Sequence, residues 1–263
     1  MKSHAENPNC FAKLVPLMYN RKILLIILIL SYSCSGLEKM KPGRPLPQTT
    51  RTLNLSSSKL QKVPAEIAEL SNLEKLVLFR NQIDSVPAFI GNLTKLELLS
   101  LQSNQLIYLP NEISHLSKLN RLNLRFNKLN ELPVAICNMK SLIELDVRNN
   151  QLVQLPLCIG NLTTLEYLYL SDNELNQIPD GLSRLKNLRL LNIANNNIEG
   201  KLPAFIGDLE NLYELDVSGC CSNNNLPDEL SKLSKLEILF VSSYQILPYG
   251  VGKGNPRLQV IIK

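Results

Sequence analysis

A motif that returns every 23 residues constrains this chain more than any other feature. Asn81, Asn104, Asn127, Asn150, Asn173 and Asn196 mark it, with Ser58 in the same place one step earlier. Cys220 and Tyr244 fall in that place after two steps of 24 residues. An aliphatic-proline pair recurs in phase, from Val63-Pro64 and Val86-Pro87 to Leu202-Pro203 and Leu226-Pro227. A fixed period of roughly 20–50 residues indicates a solenoid, because one such unit cannot bury its apolar side chains alone. Stability then comes from stacking each unit on the next.

Inside each unit the spacing changes from two to three. Leu76 and Leu78 alternate with Val77 and Phe79, and alternation sends successive side chains to opposite faces of a strand. The proline that follows lacks a donor and has a fixed φ, which suits a chain leaving the sheet. Beyond it, Ile67, Leu70 and Leu73 recur at every third residue, which predicts a 3₁₀ turn or a short loose helix on the outer side. Nine parallel strands at a spacing of about 4.8 Å make a sheet roughly 40 Å long. Wider outer elements bend it into an arc.

The unit "LEKLVLFRNQIDSVPAFIGNLTK", residues 73–95, resembles the leucine-rich repeat, with pattern LxxLxLxxNxL. Its LPxxIxxL continuation is similar to the 23-residue type of Ras-suppressor-like, plant intracellular and bacterial proteins. "NNNIEGKLPAFIGDLENLYELDVSG", residues 195–219, drifts toward the 24-residue plant-receptor type. The resemblance covers residues 51 to about 248 and implies an α/β solenoid, a curved arc with a concave parallel sheet and convex 3₁₀ or short-helix segments. It also implies that the asparagine row is a structural ladder pairing buried backbone groups, with Cys220 as a ladder substitute. The function implied is a non-enzymatic scaffold that binds a protein or peptide on its concave sheet.

Residues 21–34 read "RKILLIILILSYSC". The aliphatic run Ile23 to Leu30 is too short for a span that needs about 20 apolar residues, and two cations precede it as in a secretory signal. Residues 1–33 are therefore expected to be a signal peptide, with the true start at Met18. Ser33 and Cys34 resemble the end of a bacterial lipoprotein signal, which implies lipidation of Cys34 and a membrane-anchored place in a bacterial cell envelope. A secreted or cytoplasmic location stays open. Residues 34–50, with Pro42, Pro45 and Pro47, read as an extended tether, and residues 51–263 as the repeat domain with a cap from about 249.

Composition removes several function classes. His4 and His115 are the only histidines, leaving almost no material for a histidine triad or a zinc site; no metal or cofactor is expected. The formal charge is +5, but Lys2, Lys13, Arg21 and Lys22 lie in the leader, so the repeats are close to neutral. A nucleic-acid partner would call for a concentrated basic excess, and none is expected. Cys137 and Cys158 sit on adjacent outer segments, two positions out of phase; two buried thiols are expected, with a disulfide left open. Leu258, Val260, Ile261 and Ile262 are expected to shield the last repeat.

Repeat phase identifies which side chains face the open side of the sheet. They lie six, four, two and one residues before each ladder position. Phe79, Arg80, Arg121, Arg125, Phe126 and Arg148 gather in the N-terminal and middle units, with Tyr167 and Tyr169 just beyond. Arginine and aromatic side chains are enriched at binding hot spots, so these eight are the expected partner-binding residues. Charges that pair across strands would instead give an ordinary solvated face. An intracellular signalling scaffold of the Ras-suppressor-like type, or a carbohydrate-binding module that stacks sugars on Tyr167 and Tyr169, are the alternative readings.

Overall fold

The computed structural model describes residues 47–253 and 255–263. The expected signal peptide, the start at Met18, the lipidated Cys34 and most of the tether lie outside the described residues. Ten strands form one parallel sheet in chain order. The first five are β1 (Thr52–Asn54), β2 (Lys75–Val77), β3 (Leu98–Ser100), β4 (Arg121–Asn123) and β5 (Glu144–Asp146). They continue as β6 (Tyr167–Tyr169), β7 (Leu190–Asn192), β8 (Glu214–Asp216), β9 (Ile238–Val241) and β10 (Gln259–Ile262). The sheet is open and curved, as the alternation and the wide outer segments require.

Register is set by the repeat itself. Leu76 lies opposite Leu99, Leu99 opposite Leu122, and Leu122 opposite Leu145. Equivalent leucines thus stack into one continuous core in which Leu76, Leu99, Leu145 and Leu168 are fully buried. A one-residue slip would turn this row toward solvent.

Each aliphatic-proline pair follows the turn that leaves a strand and starts a 3₁₀ turn, from Ala65–Glu69 to Asp228–Lys232. Proline supplies the φ needed at the first turn, and its carbonyl accepts the first bond, as in Ile90 N to Pro87 O at 3.0 Å. These turns pack tightly against one another: a Cβ on Gly160 would collide with the Gly181 carbonyl.

From Ser57 to Gly219, the residue just before each ladder position has a left-handed backbone. Ser57, Arg80, Ser103, Phe126, Asn149, Asp172 and Asn195 have φ between 52° and 58°. The chain must reverse there to bring the asparagine beneath the sheet. Glycine fills the place only at Gly219, φ 64°.

Three expectations need correction. Cys137 and Cys158 are joined as a disulfide with a Cα–Cα distance of 5.8 Å, within the normal range of a bridge. The two-residue phase offset is absorbed because both lie on closely stacked 3₁₀ turns, Val134–Asn138 and Leu157–Asn161. Tyr244 is half exposed and is not in the ladder. Gln245, one residue later, is buried, and its Nε2 donates to Val217 O at 3.0 Å. Glutamine is one methylene longer than the ladder asparagine, so its amide reaches the Val217 carbonyl from one residue later, whereas the Tyr244 side chain has no amide. At the C-terminal end β10 covers the edge of β9, and Leu258 packs against the core. Val260, Ile261 and Ile262 themselves remain exposed, so the shield comes from the strand's backbone more than from its side chains.

Candidate functional site

The ladder holds the sheet that carries the site. Asn127 Nδ2 donates to Leu101 O and Leu124 O at 3.0 and 2.8 Å, and its Oδ1 accepts from Leu106 N at 3.0 Å. The same three bonds recur at Asn104, Asn150, Asn173 and Asn196. At Asn81 the Oδ1 accepts from both Ser58 N and Leu60 N. Cys220 is fully buried in the row but cannot replace the amide acceptor. The backbone carbonyl of Cys220 takes the Ile198 N–H instead, at 3.0 Å. Its sulfur is paired with the neighbouring Cys221.

A second row of polar residues has a local task that the phase alone does not reveal. Asn54, Asn123, Asp146, Asn192 and Asp216 each accept a bond from the backbone N–H two residues on. These Asx bonds satisfy amides where the chain leaves the strand. Their position on the open face therefore does not make them free for a partner.

All eight expected binding residues lie on the concave side, but in different states. The Arg125 guanidinium lies 4.4 Å from the Phe126 ring centroid. Its Nε is buried and has no hydrogen-bond partner among the described residues. Burial, reinforced by Arg148, lowers the Arg125 pKa from its ordinary value. Phe126 is exposed.

Arg148 is committed within its own repeat. Its Nε and one terminal nitrogen donate to the two Asp146 carboxylate oxygens at 2.9 and 2.6 Å, and it lies 4.5 Å from the Tyr169 ring centroid. Burial opposes the Arg148 charge, yet Asp146 outweighs it and the pKa stands above its ordinary value. Tyr169 is pushed strongly upward by burial, then by the neighbouring Glu144 carboxylate. Arg148, Asp146 and Tyr169 thus form a satisfied stack, whereas Arg125 and Phe126 remain open.

Arg121 stands directly opposite Glu144 across β4 and β5. Burial raises the Glu144 pKa, and Arg121 opposes that rise. Tyr167 is half-buried beside it on β6. Phe79 and Arg80 lie two strands away from Arg125, about 10 Å at the usual spacing, with Ser100, Gln102 and Ser103 between.

One concave cluster is not anticipated by the repeats. Lys263 Nζ reaches Asp216 Oδ2 at 2.6 Å and lies 4.1 Å from the Phe240 ring centroid. Asp216 is nearly fully buried and also accepts from the Ser218 hydroxyl. Ile261 pairs with Phe240 and Ile262 with Val241, so counting phase through β10 would have placed Lys263 over this face.

A leucine-rich repeat region model matches residues 89–199, and a leucine rich repeat model matches residues 48–106. No curated protein matches the sequence significantly. Among solved structures, the chain is similar to the plant peptide hormone receptor RGFR1 in complex with RGF2: 31% identity, TM-score 0.71, covering 82% of this chain and 36% of that one. It is also similar to a leucine-rich repeat protein of Leptospira interrogans, with 30% identity and TM-score 0.53, covering 80% of this chain and 71% of that one. An internalin of Listeria monocytogenes shares the fold at 20% identity and TM-score 0.70, covering 81% of this chain and 61% of that one.

Proposed function

Because this chain belongs to the leucine-rich repeat family, we propose that it is a non-enzymatic scaffold that binds a protein or peptide on its concave sheet, tethered to a bacterial envelope through lipid on Cys34. The observation that carries the binding role is the Arg125–Phe126 pair, a stacked cation and aromatic ring presented on the sheet, with the Arg125 Nε lacking a hydrogen-bond partner among the described residues. Both residue types concentrate binding energy at interfaces. Similarity to a plant receptor described with its peptide hormone supports a peptide or protein as the partner.

Repeats take up the chain from Thr52 onward, which supports a binding scaffold over an enzyme. Arg148 occupies one side of the Tyr169 ring, so a sugar would have less of that surface for stacking. Combined replacement of Arg80, Arg125, Phe126 and Tyr169 by alanine should abolish capture of a native partner while leaving the circular dichroism spectrum unchanged. Undiminished capture would refute the concave site. Mass spectrometry of the Cys34 peptide from the membrane fraction should show an acyl mass, and an unmodified peptide in the soluble fraction would refute the anchor.

A further inference from the structure

The concave face is electrically divided. Across β1–β4, the positions six, four, two and one before the ladder carry Lys75, Arg80, Arg121 and Arg125 and no carboxylate. Across β5–β8 the same positions carry Glu144, Asp146, Asp172, Glu214 and Asp216 against Arg148 alone. Lys263 reaches in from outside these rows. The two halves differ in internal pairing as well. Arg148 is bound by both oxygens of Asp146, and Asp216 by Lys263. Arg80, Arg121 and Arg125 take part in none of the ion pairs found among the described residues.

Arg125 is the sharpest point of that basic half. Its Nε has been taken out of water and given no acceptor, which costs about 1–3 kcal/mol for a neutral group and more for a charged one. The Phe126 ring fixes the guanidinium plane, and a fixed guanidinium presents a fork suited to a carboxylate. Toward β8 the floor changes character. Ser171, Ala194, Ser218 and Ser242 line a shallow trough of about 300 Å³ beside Asp172 and Asp216, where short side chains let an extended backbone lie close to the sheet. A long polyanion laid along the solenoid would meet these carboxylates and be repelled.

We infer that the partner presents an extended peptide segment with one acidic anchor, an Asp or Glu carboxylate seated on the Arg125 guanidinium beside Phe126, and a remainder free of acids running over the small-residue trough toward β8. This rests on the concave binding role proposed above and adds the chemistry and direction of the ligand. Arg80 and Arg121 flank the seat and steer the acid to the N-terminal half. Arg148, already neutralised, does not compete for it.

The test uses the purified chain and a random twelve-residue peptide display library. Peptides enriched on the wild type should share an Asp or Glu at a fixed place. Their affinity should fall about ten-fold or more on Arg125→Met. This change keeps the stem over Phe126 and removes a guanidinium whose buried Nε has no hydrogen-bond partner among the described residues, so the melting temperature should hold. Lys128→Gln, an exposed charge loss outside the concave rows, should leave affinity unchanged. Enriched peptides without a shared acid that still lose binding to the fourfold alanine variant would overturn this inference and leave the concave site intact. Peptides indifferent to every concave substitution, or no enrichment at all, would overturn both. Retention on heparin that depends on Arg125, with no acidic peptide enriched, would overturn the peptide in favour of a polyanionic glycan.

Discussion

The ladder asparagines are not equivalent, and the difference can be worked out atom by atom. Leu101 O accepts from Asn127 at 3.0 Å and from Asn104 at 2.9 Å; Leu124 O accepts from Asn127 at 2.8 Å and from Asn150 at 3.1 Å. Asn127→Ala therefore leaves both carbonyls with one amide and strands only the buried Leu106 N–H. Asn196→Ala strands Leu175 N and also Ile193 O, whose only ladder bond among the described residues is from Asn196 at 2.9 Å. Cys220 stands next in the row and has no amide to share. At about 1–3 kcal/mol per orphaned buried group, Asn127→Ala should cost one such penalty and Asn196→Ala two. Asn196→Ala is thus expected to be the more destabilising by about 1–3 kcal/mol. Equilibrium urea unfolding followed by circular dichroism, with m-values compared to exclude a change in cooperativity, measures both. An Asn196→Ala loss equal to or smaller than that of Asn127→Ala would refute the counting of shared acceptors.

Two further outcomes are expected. Phe126 holds φ 56°, which a non-glycine side chain tolerates poorly, so Phe126→Asn should stabilise the fold by about 1 kcal/mol in urea unfolding while weakening partner capture. Burial raises the Glu144 and Glu214 pKa values above the ordinary 4.5, with Asp216 adding to the rise at Glu214. A raised carboxyl pKa favours the folded state below the unfolded value, and that contribution is lost as pH climbs through the folded value. The Glu144→Gln, Glu214→Gln double variant should therefore show a smaller loss of stability than the wild type between pH 4 and pH 7 when both are titrated in urea.

Much of the architecture could be read from residues because a repeat repeats its errors as well as its signals. Six asparagines in step fix the strand phase so firmly that Leu76, Leu99 and Leu122 can be assigned to the core, and Arg125 and Phe126 to the open face, without coordinates. The phase gives a direction and does not give a partner. Arg121, Arg125 and Arg148 look alike in sequence, yet Asp146 sits two residues before Arg148 at the end of β5 and closes onto it with both oxygens. Asn123, the equivalent residue before Arg125, uses its Oδ1 for the backbone amide and leaves the guanidinium alone. The misplacement of Tyr244 has the same origin. Where the period lengthens, a strict count lands one residue early, and only the reach of the Gln245 side chain shows which residue joins the ladder. The Cys137–Cys158 bridge was hidden because sequence phase measures position along the unit, whereas the distance between neighbouring 3₁₀ turns depends on how closely the two turns are stacked.

The left-handed row also has an evolutionary consequence. A site requiring φ near 55° is closed to most substitutions, which cost about 1–2 kcal/mol there, and the row is accordingly filled mainly by serine, asparagine and aspartate. The positions two and six before the ladder carry no such requirement, and they hold residues as different as Phe79, Arg125, Ala194, Lys75 and Tyr167. Specificity in this chain can therefore be rewritten along two rows by single substitutions while the third stays frozen. Arg80 and Phe126, the large side chains admitted to the frozen row, are where a change of ligand would carry the greatest conformational debt.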